Sequence, residues 1–276
     1  MSLEIFPPGA EYPLESIFAT LDRLTQLEPS FISVTYGAAG SNRARTVEIA
    51  ARIKKQYGLE ALAHLTCVGH TRTEVDLILD HLIAEGIDNI MALRGDLPAD
   101  NPSFDLASQD YHYAVELIRD AKKKYDFGIA AAAYPEGHPE SRRLNDDLLH
   151  LRQKVNAGVD VLITQLFFDN RIYYDFLEKA QRLAINVPIV PGIMPVLSAK
   201  QIKRMIYLCG ASMPARLLKL VDRYEHDSEA MEKAGIEYAS EQIQDLLSNR
   251  VPGIHLYSMN KWAQISQIVH NVKLSR

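Results

Sequence analysis

"NIMALRGDLP", residues 89–98, is the stretch on which the fold turns. Asn89 to Leu93 reads as a strand, built on the apolar run Ile90-Met91-Ala92-Leu93. It stops abruptly on Arg94, Gly95, Asp96 and, one residue later, Pro98. A short apolar run bounded by turn residues fits a strand covered on both faces, as in a parallel sheet. The flanking segments have helical spacing: one ends at about Glu85 before Gly86, and the other runs from Gln109 to Tyr125. A strand between two helices is the repeating unit of a parallel α/β protein, with right-handed crossovers.

The same alternation continues outward in both directions. Strands are expected at Ser2–Phe6, Phe31–Thr35, Ala61–Thr66, Gly128–Ala133, Val161–Thr164, Pro188–Pro191 and Ile254–Tyr257. Between them, Leu14, Ile17, Phe18, Leu21 and Leu24 share a helical face, and Arg43–Tyr57 forms a helix ended by Gly58. Thr73 is the expected N-cap of the next helix, with Asp76 three residues on as an imperfect capping box. Leu144, Leu148, Leu151 and Val155 mark a helix that stops at Gly158, and Tyr173, Phe176, Leu177 and Ala180 mark another. Helical patterns return at Ser198–Leu208, within 214–249 and at Trp262–Val269. About eight strand–helix units predict a single (β/α)8 TIM barrel over residues 1–276, with extra helices before the last strand. A doubly wound sheet is the alternative, but neither GxGxxG nor GxxxxGK[ST] occurs.

Composition narrows the function classes. The chain has 276 residues, is 47% hydrophobic and carries a net charge of -5, so it can fill a core and lacks a basic footprint for nucleic acid. No apolar run has the length of a membrane span. The start, MSLEIFPPGAEYP, lacks the pattern of a secretory signal. The two cysteines, Cys67 and Cys209, lie far apart and make no CxxC, which predicts a reducing cytoplasm and no zinc site. In that setting Arg94-Gly95-Asp96 loses its context as an adhesion tripeptide.

Barrel active sites lie at the C-terminal ends of the strands. Polar residues recur there: Glu4, Thr35 with Tyr36 and Gly37, His64 with Thr66, Arg94 to Asp96, Tyr134 to His138, Gln165, and Tyr257 leading to Asn260. Taken singly, each has an ordinary reading. Glu4 reads equally as a surface acid, although it is the only charge in Met1 to Pro8; Asp96 as a turn cap; His64 as a core histidine; Tyr134 as packing. Gln165, placed before Leu166-Phe167-Phe168, has fewer ordinary readings because a buried amide needs partners. Together they predict a polar small-molecule pocket with two carboxylates. The pattern supports an enzyme or a ligand binder and names no reaction.

Nine segments then resemble the serial motifs of the methylenetetrahydrofolate reductase family: LEIFPP, SVTYGAAG, HLTC, LRGDLP, HYAVELI, AAYPEGHPE, ITQLFFD, VPGIMP and HLYSMN. They follow the family's order and span residues 3–260. The resemblance implies the bacterial form, a catalytic barrel alone. It implies FAD as cofactor, and NAD(P)H and 5,10-methylenetetrahydrofolate as partners in ping-pong turnover. It also implies a place in one-carbon metabolism and methionine synthesis. Barrels of this kind often associate, so a homo-oligomer is expected.

The resemblance also implies roles. Glu4 is similar to the family acid that protonates the folate's leaving nitrogen, and a partly apolar setting is expected to raise its pKa. Asp96 is similar to the aspartate beside the flavin ring, where it stabilises a cationic iminium. Thr35, His64, Leu93, Arg94, Gly95, Tyr113, Ala114, Ala132, Tyr134, His138, Asp147 and Lys154 match cofactor-contacting positions. Gln165, Tyr257 and Lys261 fall on the substrate side. Two departures stand out: Lys261 replaces a frequent arginine, and Met205 stands where an aromatic often covers the ligand. Another flavin-dependent barrel oxidoreductase, such as a proline-dehydrogenase-like enzyme, or a non-catalytic folate- or flavin-binding subunit are the competing readings.

Overall fold

The computed structural model describes residues 1–9, 11–36, 43–97, 101 and 103–274. Gly37 and Pro98, expected at two strand ends, lie outside the described residues. Among the described residues, nine parallel strands form one sheet: β1 (Ser2–Ile5), β2 (Phe31–Val34), β3 (Glu60–Thr66), β4 (Asn89–Leu93), β5 (Gly128–Ala133), β6 (Val161–Thr164), β7 (Ile189–Val190), β8 (Gly192–Ile193) and β9 (His255–Tyr257). The sheet order is β7-β6-β5-β4-β3-β2-β1-β9-β8. Its two outer strands are separated in sequence only by Pro191.

That proline explains how eight staves come from nine strands. The seventh stave was expected as one strand over Pro188–Pro191. It is instead split, because Pro191 has no N–H to give to a ladder. Ile189 pairs with Leu162 of β6, and Gly192 pairs with His255 of β9. Pro191 itself contributes only its carbonyl, which accepts the His255 N–H at 3.0 Å. One stave thus pairs left with its first half and right with its second, and the sheet closes into a TIM barrel.

The helices are α1 (Glu15–Leu24), α2 (Arg43–Tyr57), α3 (Arg72–Ala84), α4 (Ala114–Lys124), α5 (Leu144–Asn156), α6 (Asn170–Arg182), α7 (Ala199–Cys209), α8 (Ala215–Tyr224), α9 (Ser228–Ser248) and α10 (Trp262–Val272). Two helix starts differ from expectation. The N-cap of α3 is Thr71 rather than Thr73, because Glu74, not Asp76, completes the reciprocal box by accepting the Thr71 N–H at 2.7 Å. Helix α4 begins at Ala114 rather than Gln109. The Glu116 carboxylate captures the N–H groups of His112 and Tyr113 at 2.6 and 2.9 Å and fixes the first turn there.

Alternation along each strand sorts side chains between two regions. Leu3, Ile5, Ala61, Ala63, Leu65, Ile90 and Ala92 join the core between sheet and helices. Their neighbours point into the barrel. Leu62, Met91, Ala130 and Ile163 form an apolar plug there, with Phe31, Leu93, Ala132 and Val161 packed against it. Ser2, Glu4, Ser33, His64, Thr66 and His255 are buried polar residues on β1, β2, β3 and β9. The interior is therefore apolar on one side and polar on the other.

The extra helix α9 braces the loop after β6. Its Tyr238 hydroxyl donates to the Phe168 carbonyl at 2.5 Å, and the Gln242 amide donates to the Phe167 carbonyl at 2.9 Å. Gly235 lets the same helix pack closely against the segment after β8, since a Cβ there would lie 1.8 Å from the Val196 carbonyl oxygen. Gly235→Ala is expected to cost roughly 2 kcal/mol or more of stability, read as a lowered urea midpoint at unchanged slope.

Candidate active site

Glu4 points into the barrel, and its sequence neighbours Leu3 and Ile5 point away from it. The Glu4 carboxylate is 7% exposed and meets three polar side chains. His64 Nε2 lies 3.3 Å from Oε2 and His255 Nε2 3.7 Å. The Ser33 hydroxyl donates to Oε2 at 3.4 Å. Register brings them together: Glu4 pairs with Ser33 on β2 and with Tyr257 on β9, two residues beyond His255. His255 Nδ1 in turn meets the Ser2 hydroxyl at 2.8 Å. A Ser2–His255–Glu4 series therefore runs inside the barrel.

The main chain at Glu4 is also pinned. The Ser258 hydroxyl and N–H both donate to the Glu4 carbonyl, at 2.5 and 3.2 Å. Asn260 brackets the next exposed peptide, accepting the Phe6 N–H and donating to the Phe6 carbonyl, both at 3.0 Å. Met259 and Asn260 adopt positive φ of 50° and 56° to make this turn.

This environment corrects the expectation for Glu4. Burial pushes its carboxyl up, but the two imidazoles more than offset burial and hold it at about 2. The raised value expected from a partly apolar setting counted Leu3 and Ile5, which face the other way. It missed His255, which lies far along the chain. In the ligand-free site Glu4 is a carboxylate.

Two adjoining cavities open beside this group and share Leu93, Arg94, Tyr134 and His138. The smaller, about 340 Å³, is lined also by Thr35, His64, Gly95 and Asp96. The larger, about 670 Å³, takes in Tyr113, Ala114, Ala132, Asp147 and Lys154. Every residue expected from the resemblance to touch a cofactor thus borders one of the two. The small side chain of Ala132 on β5 leaves space in the larger cavity that a larger residue would fill. Gly95 has a role beyond close approach: with φ of 90°, a Cβ there would meet Thr66 Cβ at 2.8 Å and Val68 at 2.9 Å. It lets the end of β4 fold onto the end of β3, where the Val68 N–H donates to the Arg94 carbonyl at 2.8 Å.

Two cations of the larger cavity already have partners within the chain. Arg94 forks onto Glu140 with two bonds of 2.6 Å. Lys154 borders the cavity while its ammonium sits deep, donating to the Ala132 carbonyl at 2.6 Å; burial lowers its pKa to about 8. Burial and the nearby Asp147 push Tyr134 up to about 12, so it is a neutral phenol. Desolvation lowers His138. Asp96 is exposed at the rim of the smaller cavity.

The residues expected on the substrate side line neither cavity. Gln165 Oε1 accepts the Leu166 N–H at 2.9 Å, and the Tyr257 hydroxyl donates to the Thr164 carbonyl at 2.6 Å. Lys261 is exposed at the N-cap of α10. Among the described residues, no group of three or more His, Cys, Asp or Glu could hold a metal ion, and no helix is long and apolar enough to cross a membrane.

Residues 1–273 match the family model described as methylenetetrahydrofolate reductase. The chain belongs to the methylenetetrahydrofolate reductase family. It is 37% identical over 272 residues to 5,10-methylenetetrahydrofolate reductase of Escherichia coli (strain K12), covering 99% of this chain and 90% of that one. It is 36% identical over 270 residues to methylenetetrahydrofolate reductase (NADH) 1 of Arabidopsis thaliana, covering 94% of this chain and 46% of that one. The chain spans about half the length of the plant relatives it matches. A solved structure supports the fold at 18% identity, with a TM-score of 0.62 over 99% of this chain and 93% of that one. It is described as an uncharacterized protein from Clostridium thermocellum that binds two copies of 5-methyl-5,6,7,8-tetrahydrofolic acid.

Within this family member, reading the sequence missed Ser2, Ser33, His255 and Glu140. His255 opens the HLYSMN segment and Glu140 closes AAYPEGHPE, so both were inside quoted motifs without a role. The ionised Glu4 stabilises the fold above its unfolded pKa of about 4.3, and that contribution is lost as pH falls toward 2. Carboxyl-carbon NMR of the ligand-free protein is expected to place the Glu4 midpoint well below pH 4, and to move it upward in His255→Ala. A wild-type midpoint above 5 would contradict this account of the site.

Proposed function

We propose that this chain reduces 5,10-methylenetetrahydrofolate to 5-methyltetrahydrofolate, with FAD held in the two adjoining cavities and NAD(P)H as electron source. The reading takes residues 1–276 as one catalytic unit working by ping-pong turnover. One observation carries it: every cofactor position implied by the family motifs borders this pair of cavities, and Glu4 lies 3.3 Å from His64, which lines the smaller one.

The residues present suit FAD. Arg94, Lys154 and Arg142 bring cationic donors to the larger cavity, where a diphosphate needs them. The smaller cavity is bordered by Thr66, whose buried hydroxyl oxygen has no partner. Such an orphan is costly unless a ligand satisfies it. Bound there, FAD would supply hydride transfer from the nicotinamide to the folate methylene carbon.

The chain's own residues supply the rest. The folate's five-membered ring opens to an iminium only when its leaving nitrogen is protonated. Glu4 is ionised before the substrate arrives, so a proton must reach it during turnover, and His64, which lines the smaller cavity and lies 3.3 Å from the carboxylate, is the neighbour placed to pass one from that cavity. Asp96, an exposed carboxylate at the cavity rim, stabilises the cationic iminium. Gln165 has its oxygen fixed by Leu166, leaving its NH2 to donate to the pterin. Tyr257 backs the same side, and Lys261 offers a single point charge to the substrate's carboxylate. The plant relatives carry NADH in their names, which makes NADH the first donor to test.

The purified protein is expected to be yellow and to oxidise NAD(P)H with either menadione or methylenetetrahydrofolate. Glu4→Gln is expected to keep menadione turnover and to lose folate reduction by about a hundredfold or more. Protein that takes up no flavin would sink the proposal, and equal loss in both half-reactions would remove Glu4 as the acid.

A further inference from the structure

The larger cavity contains one forked ion pair that the proposed chemistry does not use. Arg94 projects from the end of β4. Its Nη1 and Nη2 each donate to a different carboxylate oxygen of Glu140 at 2.6 Å, and its Nε donates to the Gly95 carbonyl at 3.2 Å. All three nitrogens of the guanidinium are therefore engaged. The two partners are unequal: the Arg94 side chain is 17% exposed and the Glu140 side chain 57%. Arg94 is anchored on a barrel strand, whereas Glu140 lies in the turn between β5 and α5. Glu140 is the member that can swing into solvent.

Two parallel N–H···O bonds to a carboxylate have the geometry that Arg offers a phosphate. Of the cavity's other cations, Lys154 is directed to a carbonyl and lacks the fork, and Arg142 has the fork but lines only the larger cavity. Arg94 is the forked donor nearest the junction of the two cavities, since it borders both. An anion entering there meets a guanidinium already saturated by a carboxylate.

We propose that Glu140 is an internal counter-anion: it occupies the Arg94 fork in the ligand-free protein, is displaced by the diphosphate of the incoming dinucleotide, and so limits how tightly that cofactor is held. This rests on the flavin dinucleotide reading given above. Removing the charge while keeping the shape removes the competitor. Glu140→Gln therefore strengthens dinucleotide binding, and it does so through Arg94.

The test is titration of full-length, flavin-stripped protein with FAD, followed by flavin fluorescence, with riboflavin as a probe that has no phosphate. Glu140→Gln is expected to lower the FAD dissociation constant about two- to fivefold, the range of a partly exposed ion pair, and to leave riboflavin unchanged. The gain should shrink as salt rises and should be smaller in an Arg94→Lys background, where the fork is absent. Circular dichroism melts confirm that the variants are folded. Unchanged or weaker FAD binding by Glu140→Gln, with the wild type binding normally, overturns the counter-anion and leaves the flavin reading intact. A wild type that binds no FAD overturns both.

Discussion

Burying one carboxylate governs much of this barrel. Moving an ionised glutamate out of water is prohibitive unless opposite charge and hydrogen bonds meet it. Glu4 on β1 is met by Ser33 from β2, His64 from β3 and His255 from β9, so four staves must agree in register around one group. A slip of one residue would turn Glu4 toward the helices and bring Leu3 or Ile5 into the polar side of the interior. Closure supports the same group from behind, because β9 is held on its far side by β8. The break at Pro191 is thus part of how His255 is placed. The stave that completes the barrel also fixes the strand that carries it.

The rest of the interior follows from confining that polarity. The apolar plug of Leu62, Met91, Ala130 and Ile163 keeps one side dry. Ala132 on β5 then leaves cavity rather than core, at a cost in packing that the stability of the helix-facing core must cover. Gly95 serves the same end by a backbone route. Its positive φ and its lack of a Cβ let the end of β4 fall onto β3, which turns the residues after Leu93 toward the cavities.

The sequence was most legible where short-range physics decides. Strand–helix alternation, the glycines that end helices, and polar residues at strand ends all predicted the barrel and its mouth. Errors came where a competing local partner or a distant residue decided. Glu74 outcompeted Asp76 for the α3 cap, and Glu116 moved the start of α4 by drawing in two N–H groups. Pro191 split a stave in a way visible only once both neighbours are known. The largest miss was electrostatic. The apolar flanks of Glu4 suggested a raised pKa, yet alternation sends those flanks to the opposite face, and one of the two imidazoles that lower it comes from the last stave. A period-2 strand makes nearest sequence neighbours the wrong guide to an inward side chain.

Glu4 and Arg94 obey one rule from opposite ends of the site. Each is a charge at or beside the cavities, and each is already paired within the chain, Glu4 with imidazoles and Arg94 with Glu140. Leaving either unpaired beside a low-dielectric cavity would cost more than the pair does. Ligand binding at such a site exchanges partners rather than creating new charges, and the net gain is a difference between two pairings. Burial separates the two cases. Glu4 is enclosed, so its partners stay in place, and what can change is where a proton rests among them. Glu140 is open to water and can leave at little cost. The same principle therefore gives a fixed pairing around the buried carboxylate and a solvent-exposed one at Arg94.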